Sequence, residues 1–517
     1  MYNKKIEEFI QRREQIMELG GTAKISKQHQ AGKLTCRERL DLLFDEGTFV
    51  EIGMFVDHRC QDLGLDKAYT PADGIITGFG KVNGRQTYAY AYDFTVLGGA
   101  MGEMGGYKVE RLMKEAIMTG CPVVALIDSA GGRIQEHGNS TNYVFNQCVR
   151  GSGVVPQVSA IMGPCLGGAA YCQALTDFTI MTKHTSKMYI TSTKVLKQVN
   201  GEEVDESYFG TAEYNAEVSG CVHRLAEDDY DCINQVKIFL SYLPQNCQEK
   251  PPAYAYTGSK SGNIPELNTI VPENLRRGYD VHNVINLIVD ENSTYEIQPD
   301  WAKNIVTTLA RLNGKSIGII ANQPMVMGGA IDINASDKMC HFITMCDAYN
   351  IPLLWLADVP GYLPGNKQES DGLIRHGAKA LYANCLATVP KVRISMRKFF
   401  GGGKAAMCDK AEGLDYAISW PTCEEATMGG DGASQIIFAN ELRAAKAEGE
   451  DAYKAKLQEC SEAFMRALDS PYFWAKNMWT DMIIMPEETR HLLIYIYETL
   501  ESKNDILPQR KHTIFPV

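Results

Sequence analysis

The chain has 517 residues, 45 % of them apolar and 22 % charged, with a net charge of −12. That length exceeds a single core and predicts roughly two to four domains, while the negative balance argues against nucleic acid as a partner, which would need a basic face to meet phosphates. No apolar run approaches the roughly 18 residues that cross a bilayer, and the start, Met1-Tyr2-Asn3-Lys4-Lys5-Ile6-Glu7-Glu8, carries no apolar signal core, so a cytoplasmic protein without direct membrane insertion is expected.

In chain order, the first 70 residues read as helical packaging, with an apolar stripe at Ile6, Phe9, Ile10 and Met17 that Gly20-Gly21 ends. Asn83-Gly84-Arg85 precedes an alternating, strand-like stretch. A helix is predicted from Gly105 to Thr119, where Val109, Leu112, Met113, Ala116 and Ile117 recur with a period near 3.6. The apolar run Pro122–Ile127 suits a buried parallel strand and ends in Asp128 and a glycine turn. Val158–Met162 is a second such strand, leading into Gly163-Pro-Cys-Leu-Gly167-Gly168-Ala-Ala170. The prolines of Leu243–Pro252 and the Gly/Ser-rich Thr257–Gly262 make a linker. We place the boundary near residue 255, giving domains 1–255 and 256–517.

The second half then repeats the first. Asn313-Gly314-Lys315 matches Asn83-Gly84-Arg85, and Gly98-Gly99-Ala100 falls opposite Gly328-Gly329-Ala330. Lys108 pairs with Lys338, Pro122 with Pro352 and Asp128 with Asp358, each 230 positions on (338 − 108 = 230). A gapless register of this kind indicates two copies of one fold. Strand, turn and helix in alternation make that fold α/β with crossover connections.

Four glycine-rich turns carry the candidate chemistry: Asp128-Ser-Ala-Gly131-Gly132-Arg133 and Gly163–Ala170 in the first copy, Asp358-Val-Pro-Gly361-Tyr-Leu-Pro-Gly365 and Phe400-Gly-Gly402-Gly403-Lys-Ala405-Ala406 in the second. Glycine at a strand-to-helix turn lets the backbone approach a ligand and leaves helix N-terminal N–H groups pointing outward. Two such donors make an oxyanion hole, worth about 2.7–4 kcal/mol per donor. One such turn alone is explained by tight helix packing; equivalent turns in both copies point to two carbonyl-like groups activated together. Gly402-Gly403-Lys404 lacks the leading glycine of a phosphate loop, since Lys398 stands there and Ala405 replaces Ser/Thr. Gly138-Asn-Ser-Thr-Asn142 lacks the second glycine of a nucleophile elbow. His137 and His376 show no evident partner and read as surface or packing residues. No metal-ligand cluster emerges, and the 15 cysteines, with no C-x2-C pair, read as reduced and mostly buried thiols, among them Cys121, Cys165, Cys340 and Cys385. Backbone donors without a side-chain base suggest that a cofactor supplies the base.

Several runs carry a family resemblance: Asp128–Glu136, Ala174–Phe178, Ala321–Pro324, Asp332-Ile333, Ser336–Lys338, Asp358–Gly361, Leu363–Gly365, Arg375, Gly377–Lys379 and Trp420–Thr422. From about Gly32 to His512 the chain resembles the carboxyltransferase subunits of biotin-dependent acyl-CoA carboxylases, near the propionyl-CoA carboxylase β and methylmalonyl-CoA decarboxylase α subunits. The resemblance implies two tandem crotonase-like domains, the N-terminal one holding acyl-CoA and the C-terminal one holding biotin, in a homo-hexamer. It implies that Gly132 and Gly168, flanked by Gly131 and Gly167, hold the thioester enolate, and that Gly402 and Gly403, with Gly361, hold the ureido oxygen of biotin. The released biotin nitrogen would take the α-proton, and decarboxylation would run the same path backwards. The chain lacks an Ala-Met-Lys-Met biotinylation site, and Met113-Lys114 reads as mid-helix with a surface lysine. A biotin carrier protein and biotin carboxylase subunit, or membrane decarboxylase subunits, are therefore expected partners. The family pattern departs at Lys404 and Ala405, predicting a roomier or differently charged acyl pocket, and in the Ser129–Arg133 turn and the His512–Pro516 tail. Alternatives are a biotin-independent crotonase-type decarboxylase or hydratase, with Glu136 as its one nearby acid or base, and a non-catalytic assembly core.

Overall fold

The computed structural model describes residues 3–136, 140–205, 207–468 and 470–516. The chain divides into two compact units, Met1–Pro251 and Pro252–Val517, so the division falls inside the proline pair.

The first unit is built on a sheet of β1 (Val50–Ile52), β2 (Ile75–Val82), β3 (Arg85–Tyr92), β4 (Val123–Ser129), β5 (Gln157–Leu166), β6 (Phe178–Thr182), β7 (Lys187–Tyr189) and β8 (Arg224–Ala226). Their order is β1-β2-β3-β4-β5-β6-β8, with β7 also on β5. The first two pairings are antiparallel and the rest parallel. The second unit holds β9 (Tyr295–Ile297), β10 (Ile305–Leu312), β11 (Lys315–Asn322), β12 (Leu353–Val359), β13 (Lys391–Phe400), β14 (Tyr416–Ser419), β15 (Glu424–Ala426) and β16 (Met482–Ile483). Its order is β9-β10-β11-β12-β13-β14-β16, with β15 on β13 and the same switch from antiparallel to parallel. The α/β class and the duplication are thus found in the topology.

The copies match down to backbone conformation. The β2–β3 hairpin turns through Asn83 (φ 50°) and Gly84 (φ 79°), and β10–β11 through Asn313 (φ 52°) and Gly314 (φ 77°), as two-residue turns of matching twist require. The parallel pairs β4–β5 and β12–β13 shift register at the same place, Ile127/Ser129 and Ala357/Val359. The predicted helix runs Glu103–Thr119 and its counterpart Ile333–Ala348. Each packs its apolar face on its own sheet, through Val109, Leu112 and Met113 in one and Met339, Phe342 and Ile343 in the other. Lys114 lies mid-helix and half-exposed, paired with Glu110.

Two expectations are corrected. The first helix forms as Lys4–Met17, but Ile6, Phe9 and Met17 are exposed at 45, 47 and 48 %, and Ile16 is its buried residue. Periodicity shows which face is apolar and does not say what covers it. Cys385 is exposed, although 11 of the 15 free thiols are buried.

The duplicated lysines are internal clasps. Lys108 Nζ donates to Ala72 O (2.9 Å) and to Ile75 O. Lys338 Nζ donates to Gln298 O (2.7 Å), Trp301 O (2.9 Å) and Ile305 O (2.8 Å). Burial pulls both ammonium groups below the ordinary lysine range, and the ring of carbonyls opposes that pull by favouring the charged form. Removing the ammonium strands buried acceptors. Lys338→Met is therefore expected to lower unfolding free energy by about 3 kcal/mol, and Lys108→Met by less, as read from denaturant midpoints.

His282 sits between Asp280 (2.6 Å) and Glu296 (3.0 Å), and the hydrogen bond to Glu296, followed by that to Asp280, raises its pKa to about 9. A raised folded-state value stabilises fully below the ordinary value of about 6.5 and is lost as pH climbs through the folded one. Melting temperature should thus fall between pH 7 and 9.5 by more in the parent chain than in His282→Gln.

Candidate active site

In the first unit, β4 and β5 end side by side, with Ser129 registered on Cys165. Beyond β4 the chain turns through Gly131 at φ +104°, where a Cβ would stand 2.8 Å from Leu166 O. Neighbouring amides of this turn are paired. Ala130 N donates to Gly98 O (2.9 Å), Gly131 N to Ser129 Oγ (3.1 Å) and Arg133 N to Met101 O (2.9 Å). Gly132 N–H, in the middle, donates to nothing among the described residues. Beyond β5, Gly167 (φ 58°, ψ −125°) donates to Tyr189 O (3.2 Å) and caps the helix Gly168–Ala174, whose first amide, Gly168 N–H, is also unpaired. The structure thus gathers Gly131, Gly132, Gly167 and Gly168 at one strand-end, where the amides of Gly132, Gly168 and Ala169 have no acceptor among the described residues.

The second unit repeats the construction. β12 turns through Gly361 (φ +135°), and the chain bridges to Ile331 through Ile331 N→Gly361 O (3.1 Å) and Leu363 N→Ile331 O (2.8 Å). Gly401 (φ 56°, ψ −143°) donates to Ala426 O (3.2 Å) and caps the helix Gly402–Ala406. Gly402 and Gly403 N–H have no acceptor among the described residues. A Cβ on Gly403 would lie 2.6 Å from Val359 Cγ2 and 2.9 Å from Gly361 Cα, so only glycine allows this approach. The structure brings Gly361, Gly402 and Gly403 together here, with Ala405 on the same helix.

The Tyr362 donor escaped the sequence reading. The bridge Ile331–Tyr362 repeats Met101–Gly132, and Tyr362 N–H, like Gly132 N–H, has no acceptor among the described residues. The 230-residue offset, which pairs 132 with 362, is the signal that could have found it.

A buried carboxylate stands under each first turn. Asp128 accepts from Gln28 Nε2 (2.7 Å), Lys33 Nζ (2.9 Å) and Arg39 Nη1 (3.1 Å), and Arg39 continues to Asp229 (2.7 Å). Asp358 accepts from Arg397 Nε (2.9 Å) and Lys398 N (3.2 Å). Removing one partner of such a buried pair costs about 3–5 kcal/mol, so these ions fix the strand ends from which the turns start.

Other candidates resolve differently from expectation. Glu136 is engaged by Arg133 Nη1 (3.0 Å), which also binds Asp73 (2.6 Å), and it accepts from Glu103 N, so it is not a free base. His376 has a partner after all, Asp337 at 2.7 Å, and Lys379 reaches the same carboxylate at 3.1 Å; the partners lie 39 and 42 residues apart, beyond the reach of local sequence. His137, Gly138 and Asn139 lie outside the described residues. Lys404 does not charge an open pocket, because its ammonium pairs with buried Glu425 at 2.6 Å.

The sequence and the fold are matched by known proteins. The family model "Carboxyl transferase domain" fits residues 27–515. The chain is 46 % identical over 517 residues to methylmalonyl-CoA decarboxylase subunit alpha of Propionigenium modestum, covering 99 % of each. It is 43 % identical to the mitochondrial propionyl-CoA carboxylase beta chain of Homo sapiens, covering 96 % of this chain and 91 % of that one. Among solved structures, the transcarboxylase 12S hexamer core with methylmalonyl-coenzyme A and methylmalonic acid bound superposes at TM-score 0.95 and 44 % identity, covering 99 % of this chain and 98 % of that one. The two units are accordingly tandem crotonase-like domains, and the chain belongs to the carboxyl transferase domain family.

Proposed function

We propose that this chain moves a carboxyl group between biotin on a carrier and the α-carbon of a short acyl-CoA of the propionyl/methylmalonyl type. The observation that carries the reading is the pair of unpaired amide sets, one in each unit, at equivalent strand-ends. An anionic oxygen beside two fixed N–H donors is stabilised without reorganisation, by about 2.7–4 kcal/mol per donor.

In the first unit, Gly132 and Gly168 N–H receive the thioester oxygen as negative charge collects on it during enolate formation. Gly131 and Gly167 supply the turns that aim them. In the second unit, Gly402 and Gly403 N–H receive the ureido oxygen, and the tight approach of Gly403 to Gly361 shapes a cradle for a flat ring. Bound biotin supplies the carboxyl group and the base, which agrees with Asp128 and Glu136 on either side of the first turn both being ion-paired. Ala405, small and uncharged, leaves room for a branched acyl group. Interactions that strengthen only as charge develops raise turnover rather than ground-state affinity.

The family reading extends to the surroundings. A biotin carrier protein delivers the cofactor. A biotin carboxylase subunit, or membrane decarboxylase subunits, completes the cycle. The chain assembles as a hexamer in the cytoplasm. Among the described residues no helix is long and apolar enough to cross a membrane. Membership at 46 % identity with a decarboxylase subunit favours turnover over a purely structural core.

The test is decarboxylation of methylmalonyl-CoA and malonyl-CoA by the purified chain, with and without free biotin. Turnover that requires biotin, faster with methylmalonyl-CoA, is the expected result. Equal turnover without biotin would replace this reading with a biotin-independent crotonase-type decarboxylase, and no turnover with any short acyl-CoA would leave an assembly core.

A further inference from the structure

A five-residue helix cannot hold its shape by its own hydrogen bonds. The helix Gly402–Ala406, which carries the Gly402 and Gly403 donors, is held from outside. Its C-terminal end is tied by Asn384, whose Nδ2 donates to Ala405 O (3.0 Å) and Ala406 O (3.2 Å), and by Arg393 donating to Cys408 O (2.9 Å).

Its middle is tied by Lys404. The ammonium lies 2.6 Å from Glu425 Oε1 and 3.8 Å from the centroid of the Trp474 indole, with the Phe399 ring at 5.3 Å. Glu425 and Phe399 are register partners across β15 and β13, and Trp474 Nε1 donates to Glu425 O (2.7 Å). One side chain therefore joins the short helix to two strands and to the helix Pro471–Lys476. The ion pair is enclosed, with side chains exposed at 12 and 3 %. Burial raises the Glu425 carboxyl above its ordinary range, Lys404 and Arg393 draw it back, and Asp409 opposes them. The carboxylate thus depends on the lysine as much as the helix does. The matching position in the first unit is Ala170 (404 − 234, as 402 − 234 = 168), so the clamp belongs to the second unit alone.

We propose that Lys404 is a positioning residue for the second donor set: the ammonium–carboxylate–indole clamp fixes the helix whose first two amides are Gly402 and Gly403. The inference rests on the reading that these amides receive the ureido oxygen of biotin. Lys404 then acts on biotin through the backbone and touches neither substrate.

The test measures kcat and KM separately for biotin and for methylmalonyl-CoA in biotin-dependent decarboxylation by the full chain. Lys404→Met keeps the stem and removes the ion pair. Its kcat/KM for biotin should fall on the order of 10²-fold, the scale of a misplacement near 1 Å, while KM for the thioester stays at the parent value. Lys404→Arg, which can pair with the carboxylate and stack on the indole, should recover most of the loss. Glu425→Gln keeps a neutral acceptor and should lose less in the same parameter; it carries the test if Lys404→Met does not fold. Parent-like kcat/KM for biotin in Lys404→Met, or a loss shared equally by the thioester KM, overturns the proposal while leaving the functional reading intact. Absence of biotin dependence in the parent chain removes the functional reading and this inference with it.

Discussion

Everything distinctive about this chain is arranged to hold in place a few backbone N–H groups that have no acceptor among the described residues, half-buried at Gly132 and Gly168, buried at Gly403 and exposed at Gly402. They stand where two parallel strands end together, β4 with β5 and β12 with β13. At the first turn of the first unit the neighbouring amides are satisfied, so the open donor there cannot escape by a small local rearrangement. Gly132 is flanked by Gly131, bonded to Ser129, and by Arg133, bonded to Met101. Fixed donors of this kind stabilise an anionic oxygen placed against them.

Duplication supplied the geometry twice, and the supports then diverged. Asp128 draws its cations, Lys33 and Arg39, from the helical segment ahead of the sheet, whereas Asp358 draws Arg397 and Lys398 from the neighbouring strand β13. The Gly132 amide is matched by that of Tyr362, which adds a ring 3.2 Å from where a Cβ on Gly402 would stand. The Ala170 position of one unit became Lys404 in the other. Under the proposed function, donors of the same kind meet a thioester oxygen in one unit and a ureido oxygen in the other.

How far the sequence disclosed this follows the range of the interactions involved. The 230-residue offset, the Asn-Gly hairpins and the helix read over Gly105 to Thr119, which opens two residues earlier at Glu103, were legible because they rest on local conformation and periodicity. The glycine turns were legible as turns, since φ values such as +104° at Gly131 leave little choice of residue. What stayed hidden were pairings over long separations: Lys33 with Asp128 across 95 residues, His376 with Asp337 across 39, Lys404 with Glu425 across 21. No spacing rule announces these, because the topology of the sheet creates them. Tyr362 was overlooked for another reason, since a backbone donor leaves no mark in side-chain chemistry. The apolar stripe of the first helix was read correctly as apolar and wrongly as packed.

The central claim is that turnover depends on one set of backbone amides in each unit. Gly168 and Gly402 are both first residues of helices, where proline fits the backbone and removes only the N–H. A Cβ at Gly168 meets Thr141 Oγ1 at 2.6 Å and one at Gly402 meets Tyr362 Cδ2 at 3.2 Å, so each proline must be compared with alanine at the same position. The most direct measurement is kcat for biotin-dependent decarboxylation in the pairs Gly168→Ala/Gly168→Pro and Gly402→Ala/Gly402→Pro, with circular dichroism to confirm folding. The account predicts that each proline variant falls about 10²–10³-fold below its alanine partner. Proline and alanine variants of equal activity at both positions would contradict it.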